Sequence, residues 1–304
     1  MRMSRARFLL SLVSFSFGIA QAQDCALTRT EFEFPDARQG KVLQLAATAP
    51  QAAGRLGVVV FSHGFSDQKE SYQPLVHPLA CAGWLVLQPN HLDSRVFPGD
   101  PRRAGIWFSR VEDVVHILDL LPEIERRAPG LQNRIDPTRI VVVGHSYGAF
   151  TAQLVAGVTM TLNERQVSFR DRRVRAIVAI APVGSWQIFR DTAWDDLEIP
   201  LLEVQGGKDR PPPADQPRRN LVPYDRSKVP GTALLFLPDS GHHFGNIYGR
   251  GDVGAETDPR MVETVARLVV AYLDETVKEQ ANALHTAYEQ IDRRWPGLAE
   301  LSRK

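Results

Sequence analysis

The stretch that most constrains the fold runs Arg139-Ile140-Val141-Val142-Val143-Gly144-His145-Ser146-Tyr147-Gly148-Ala149-Phe150-Thr151-Ala152. The β-branched run Ile140 to Val143 predicts a buried strand, and the small and apolar residues after Gly148 predict a helix. Between them, Gly144 to Gly148 has the form G-x-S-x-G. A chain that passes from strand to helix in so few residues forces the central serine into a strained conformation. Side chains at the two glycine positions would collide with that turn. The turn lifts the Ser146 hydroxyl above the sheet and sets the next backbone N–H groups at a helix N-terminus, which favours negative charge. Five-residue patterns also arise by chance, but the strand before and the helix after set this one apart. Ser146 is therefore the candidate nucleophile.

The rest of the chain repeats the alternation. Gly57 to Ser62, Trp84 to Gln88, Val174 to Ile180, Ile199 to Gln205 and Thr232 to Leu237 are short apolar runs bounded by breakers, as strands buried on both faces require. Ser71 to Ala82 reads as a helix, and Val111, Val114, Val115, Leu118 and Leu121 recur at helical spacing, as do Met261, Val265, Leu268, Val269 and Tyr272. Residues from Thr28 to Thr48 suggest early antiparallel strands, and Ala281 to Lys304 suggests a further helix and a loose tail. This pattern predicts an α/β fold with a mostly parallel central sheet, helices on both faces, and active groups at the C-terminal ends of the strands. No repeat or linker divides residues 23–304, which read as one domain; the proline-rich run Arg210 to Pro217 reads as a stiff loop.

The first 22 residues read as an address. Arg2, Arg5 and Arg7 precede a short apolar core from Phe8 to Ala20, and Ala20-Gln21-Ala22 has the small-x-small form of a cleavage site. The apolar run is too short to span a bilayer comfortably, so a cleaved secretory signal, not a stable membrane anchor, is expected. That places the chain outside the cell or in the periplasm. Export would put Cys25 and Cys81 where a disulfide can persist, tying the mature N-terminus to the helix before Gly83; two free thiols are the alternative. A net charge of +1 over 304 residues, with 43% hydrophobic content, gives no reason to expect a nucleic-acid partner. The Arg170 to Arg175 run reads as a solvated loop.

A serine hydroxyl needs a base, and the resulting imidazolium needs an anion behind it. With the nucleophile on such an elbow, those partners follow in the order acid, then histidine. Asp209 lies past a strand end after Gly206-Gly207, and His242 follows Gly241 after the last strand. Asp191, Asp195 and Asp196 are rival acids, and His243 is the rival base. His145 is expected to be packed. The oxyanion needs two donors: the Tyr147 N–H is one, and the Phe65 N–H, in the turn at His63-Gly64-Phe65, is the second. Trp186, Ile188, Phe189 and Trp194, with Trp107 and Phe108, would wall a pocket for an apolar or aromatic ester if exposed, and are core otherwise. Arg110 and Asp113, three apart, read as a structural ion pair. His242-His243 lacks companion ligands for a metal, and no cofactor is expected.

The residues His63-Gly64-Phe65, Pro89-Asn90-His91, Arg110 with Asp113, Gly144 to Gly148, Gly207-Lys208-Asp209 and Gly241-His242 resemble those of the α/β-hydrolase superfamily. They are similar to its dienelactone-hydrolase-like, platelet-activating-factor-acetylhydrolase-like and cutinase-type branch. The resemblance covers Gly57 to about Phe244. It implies a serine esterase working through a Ser146 acyl-enzyme on a small-molecule or polymeric ester. Two departures, no acid in Ala181 to Trp186 and a serine in place of a nucleophilic cysteine, point to a carboxylesterase with its acid one strand later. Amide or thioester hydrolysis, acyl transfer, and a catalytically silent binding protein on the same fold are the competing expectations.

Overall fold

The computed structural model describes residues 25–100, 105–184, 189–209, 219–251 and 257–304. The segment read as a signal, together with Trp186, Ile188 and the proline-rich run, lies outside them. Among the described residues the main sheet runs β1 (Leu27–Asp36), β2 (Lys41–Pro50), β4 (Trp84–Asn90), β3 (Leu56–Ser62), β5 (Ile135–His145), β8 (Val174–Ile180), β9 (Leu201–Gly206), β10 (Ala233–Leu237) and β11 (Glu300–Arg303), in that spatial order. From β4 to β10 every neighbour is parallel; β1, β2 and β11 are antiparallel additions at the two edges.

The continuous apolar runs are explained by what covers them. Val58, Val60 and Val142 pack with residues of α2 (Ile106–Asp119), α3 (Leu121–Arg127) and α4 (Tyr147–Ala156). Their neighbours Val59, Phe61, Val141 and Val143 face α1 (Gln73–Cys81), α6 (Pro259–Thr276) and α7 (Ala283–Arg294). Alternate residues of each central strand therefore enter two separate cores, so a central strand has no polar face to offer. Because β3, β5, β9 and β10 are parallel, the loops after Ser62, His145, Gly206 and Leu237 all emerge at one end of the sheet.

One expectation is corrected here. The residues after α7 are not a loose tail: β11 pairs with β10, from Ala233 opposite Arg303 to Phe236 opposite Glu300. The physical reason is the outer edge of β10, whose unpaired backbone groups would otherwise face solvent. Lys304 extends the seal, its Nζ donating to the Asp225 and Ser227 carbonyls at 2.9 and 2.7 Å, beside the short helix α5 (Val222–Arg226).

Of the two readings of the cysteines, the bridge is the one found. Cys25 and Cys81 form a disulfide, with Cα atoms 5.7 Å apart, that ties the chain just before β1 to the end of α1. The bridge closes a loop with a sequence separation of 56 residues. By chain entropy such a loop stabilises the fold by about 4 kcal/mol. Replacing both cysteines with serine is expected to lower the urea midpoint accordingly, and an unchanged midpoint would contradict this account.

Candidate active site

Ser146 stands alone between β5 and α4, with φ 55° and ψ −116°. It is half-buried, and its backbone N–H donates to the Ile180 carbonyl at 2.8 Å, fixing the turn against the next strand. Both flanking glycines are required by close approach. A Cβ at Gly144 would stand 2.1 Å from the Gly148 carbonyl oxygen, and one at Gly148 would stand 1.9 Å from the Ser62 oxygen. The start of α4 thus lies directly against the end of β3, which brings the loop after β3 beside the serine.

Asp209 and His242 meet: His242 Nδ1 lies 2.9 Å from Asp209 Oδ2. The contact depends on glycines as well. A Cβ at Gly206 would come within 2.5 Å of the Ser240 oxygen, and one at Gly207 within 2.3 Å of the Pro238 oxygen. The two loops therefore run backbone against backbone, joined by Gly207 N–H to Leu237 O and Lys208 N–H to Ser240 O, both 2.9 Å. Gln205 Nε2 also reaches Asp209 Oδ2 at 3.4 Å, a contact that no sequence motif signalled. The rival Asp195 is engaged elsewhere, paired with Arg226.

His145 is packed, as expected, and it links the turn at Ser146 to the loop that carries His242. Its Nε2 lies 2.9 Å from the His242 carbonyl oxygen and so must carry the proton; its Nδ1 then accepts from the Tyr72 hydroxyl at 3.0 Å. Tyr72 Oη in turn accepts the Gly64 N–H at 3.1 Å. The His145 and His242 rings are 4.8 Å apart, so the residue beside Ser146 and the histidine of the late loop are neighbours. Burial, and next the charge of His242, pushes the His145 imidazole well below its ordinary range and keeps it neutral.

Arg110 and Asp113 do not pair with each other, which corrects the sequence expectation. Both are fully buried and face different partners. Arg110 forms a fork with Asp93, Nε to Oδ1 at 2.8 Å and Nη2 to Oδ2 at 2.7 Å. Burial alone would raise the Asp93 carboxyl, but the hydrogen bonds and charge of Arg110 outweigh it and hold it below the usual carboxylate range. Asp113 accepts from Lys41 at 2.6 Å and from His91 Nδ1 at 2.8 Å, and His91 Nε2 accepts from the Ser62 hydroxyl at 2.9 Å. Each of these two charges thus takes several partners from other parts of the chain, because the single partner that pairing with each other would supply does not satisfy a fully buried ion.

His91 is held neutral by burial first and by the nearby Arg110 charge second. Together these outweigh the Asp113 hydrogen bond and bring its pKa down to about 4. The unfolded chain protonates this residue near pH 6.5. Its contribution to stability is therefore full above that pH and is lost as pH falls toward 4, by about 3 kcal/mol. His63 and His145, lowered in the same direction, steepen the same limb. Urea midpoints are expected to drop between pH 7 and pH 4.5; a flat profile would contradict this reading.

The aromatic residues read as either pocket wall or core divide between the two. Phe189 and Trp194 are core, the latter donating its indole N–H to Gln153 Oε1 at 2.7 Å. Exposure is found instead at Phe65, 59% exposed, whose ring meets Tyr147 edge-on at 6.0 Å, and at Phe108, which packs with Trp107 and Phe169. No helix among the described residues is long and apolar enough to cross a membrane.

A model of the alpha/beta hydrolase family matches residues 59–190, a span that includes the elbow. A cutinase of Thermobifida alba, Cutinase est1, is 23% identical over 201 residues, covering 65% of this chain; the match spans 57% of that enzyme's length. A ferulic acid esterase from Streptomyces cinnamoneus superposes with a TM-score of 0.63 at 18% identity, over 86% of this chain and 93% of that one. The chain has the fold of that enzyme.

Proposed function

We propose that this chain, an α/β-hydrolase by fold, is an exported serine esterase. In this reading His242 takes the Ser146 proton as Oγ attacks the ester carbonyl, and Asp209 holds the imidazole with Nδ1 protonated and stabilises its charge. The backbone N–H groups of Phe65 and Tyr147 receive the developing oxyanion. The alcohol leaves with the proton from His242, and water, deprotonated by the same ring, releases the acid from the acyl-enzyme. The reaction calls for no cofactor.

The observation that carries the reading is a strained serine at a strand's end whose immediate neighbour, His145, is hydrogen-bonded to the histidine that meets Asp209. The likeness to a cutinase and a ferulic acid esterase favours an ester, of small-molecule or polymeric kind. The exposed Phe65 ring, edge-on to Tyr147, suits an apolar or aromatic acyl group. Export is supported by the basic-then-apolar first 22 residues and by the Cys25–Cys81 bridge, and residues 23–304 act as one domain. A matched pair of nitrophenyl ester and nitroanilide tests the bond class. Turnover of the ester alone is expected; equal or faster anilide turnover would replace the esterase by an amidase.

A further inference from the structure

We infer that Arg110, clamped by Asp93, is a positioning residue that aims the Phe65 N–H at the oxygen that gains charge during the reaction. The inference rests on the esterase reading above and adds to it a group outside the reacting set.

A guanidinium with no exposure at all must satisfy its five N–H donors inside the protein. The Asp93 fork occupies one edge. Among the described residues, everything else Arg110 touches with a polar contact lies in three consecutive residues: the His63 carbonyl at 2.6 Å from Nη1, the Gly64 carbonyl at 3.1 Å from Nη2, the Ser62 hydroxyl at 3.4 Å, and the His63 ring, whose Nδ1 lies 3.4 Å from Nη2. The second Asp93 oxygen reaches past Phe65 to accept the Ser66 N–H at 3.0 Å. The ion pair therefore grips the loop at residues 63, 64 and 66, on both sides of Phe65.

The consequence follows from peptide geometry. In a trans peptide the carbonyl and the next N–H point in opposite directions across one rigid plane. The Gly64 oxygen is drawn inward by Arg110, and again by His63. His63 Nε2 accepts the His91 N–H at 3.2 Å, so the neutral ring carries its proton on Nδ1, 2.6 Å from the Gly64 oxygen. With that oxygen turned inward, the Phe65 N–H is turned outward, away from the ion pair. The same guanidinium lies 4.9 Å from the centroid of the Tyr147 ring, on the residue that supplies the second proposed donor. A lysine cannot replace this arrangement: one ammonium is a point charge, whereas two carbonyls and a carboxylate are met here by one planar fork.

Arg110→Lys is therefore expected to lower kcat on a nitrophenyl ester by about 10²-fold, with KM changed by less than about 3-fold. The rate is expressed per active site, counted by end-point titration with a fluorophosphonate, so that loss of folded protein does not enter. A trifluoromethyl ketone, which forms a tetrahedral adduct on the serine, is expected to weaken by about the same 10²-fold. Asp93→Asn keeps the packing and loosens the fork, with a loss of about 10-fold in the same two quantities. If kcat per titrated site and ketone affinity match the wild type in either variant, or if KM and the ketone constant rise together, the inference is overturned. If the wild type itself cannot be titrated, the esterase reading fails instead, which separates the two outcomes.

Discussion

Ser146→Ala is expected to lower kcat/KM on a nitrophenyl ester by about 10⁴-fold or more and to leave the unfolding midpoint nearly unchanged. The two halves of the prediction have separate causes. The hydroxyl is the only part of the residue the proposed chemistry uses, so its loss removes the acyl-enzyme route entirely. The backbone at φ 55° is imposed by the contact of α4 with β3 and by the Ser146 N–H bond to Ile180, neither of which needs the hydroxyl. What remains is the contribution of the oxyanion donors and of binding, which act on water as the attacking group. Steady-state kinetics with a protein-concentration check by absorbance decides it. A variant retaining a tenth of wild-type activity would place the nucleophile elsewhere.

The second large effect concerns which of two adjacent rings is the base. His242→Ala is expected to cost about 10⁴-fold or more in kcat, and His243→Ala only a few-fold. His242 has the carboxylate at 2.9 Å, whereas the buried Nδ1 of His243 has no hydrogen-bond partner among the described residues and its ring packs 5.2 Å from Tyr248. Asp209→Asn is expected to lower kcat by about 10⁴-fold with the geometry kept. The amide would donate to Nδ1, move the ring proton to Nε2, and leave no lone pair to receive the serine proton. Equal losses in the two histidine variants, or an Asp209→Asn enzyme within about 10-fold of wild type, would remove this assignment.

These residues were legible in the sequence because each sits within a few positions of a strand end that local composition marks. The β-branched run before Gly144, the glycine pair before Lys208 and the Gly241-His242 dipeptide all carry local signals, and the parallel order does the rest. What was not legible depends on partners far along the chain. Arg110 and Asp113 show the spacing of a helical pair, but their actual partners come from Asp93 on the loop after β4 and from Lys41 and His91. Phe189 lies just before a single 3-10 turn (Asp191–Trp194) and Trp194 at its end, a stretch too short for any periodicity to distinguish a buried ring from a pocket wall. The hairpin of β6 (Met160–Leu162) and β7 (Arg165–Val167) turns on Asn163 and Glu164, both at positive φ, without the glycine that usually announces such a turn. The edge strand β11 follows a helix and has only a four-residue pairing, too short to stand out as a strand in composition.

The central claim is that the oxygen at position 146 is the attacking group. Its most direct test is treatment of the protein with a fluorophosphonate, followed by peptide mass spectrometry of the wild type and of Ser146→Ala. One phosphonyl group on the peptide containing Ser146, absent from the variant, is the predicted result. An unlabelled wild type, or a label that persists in the variant, would contradict it.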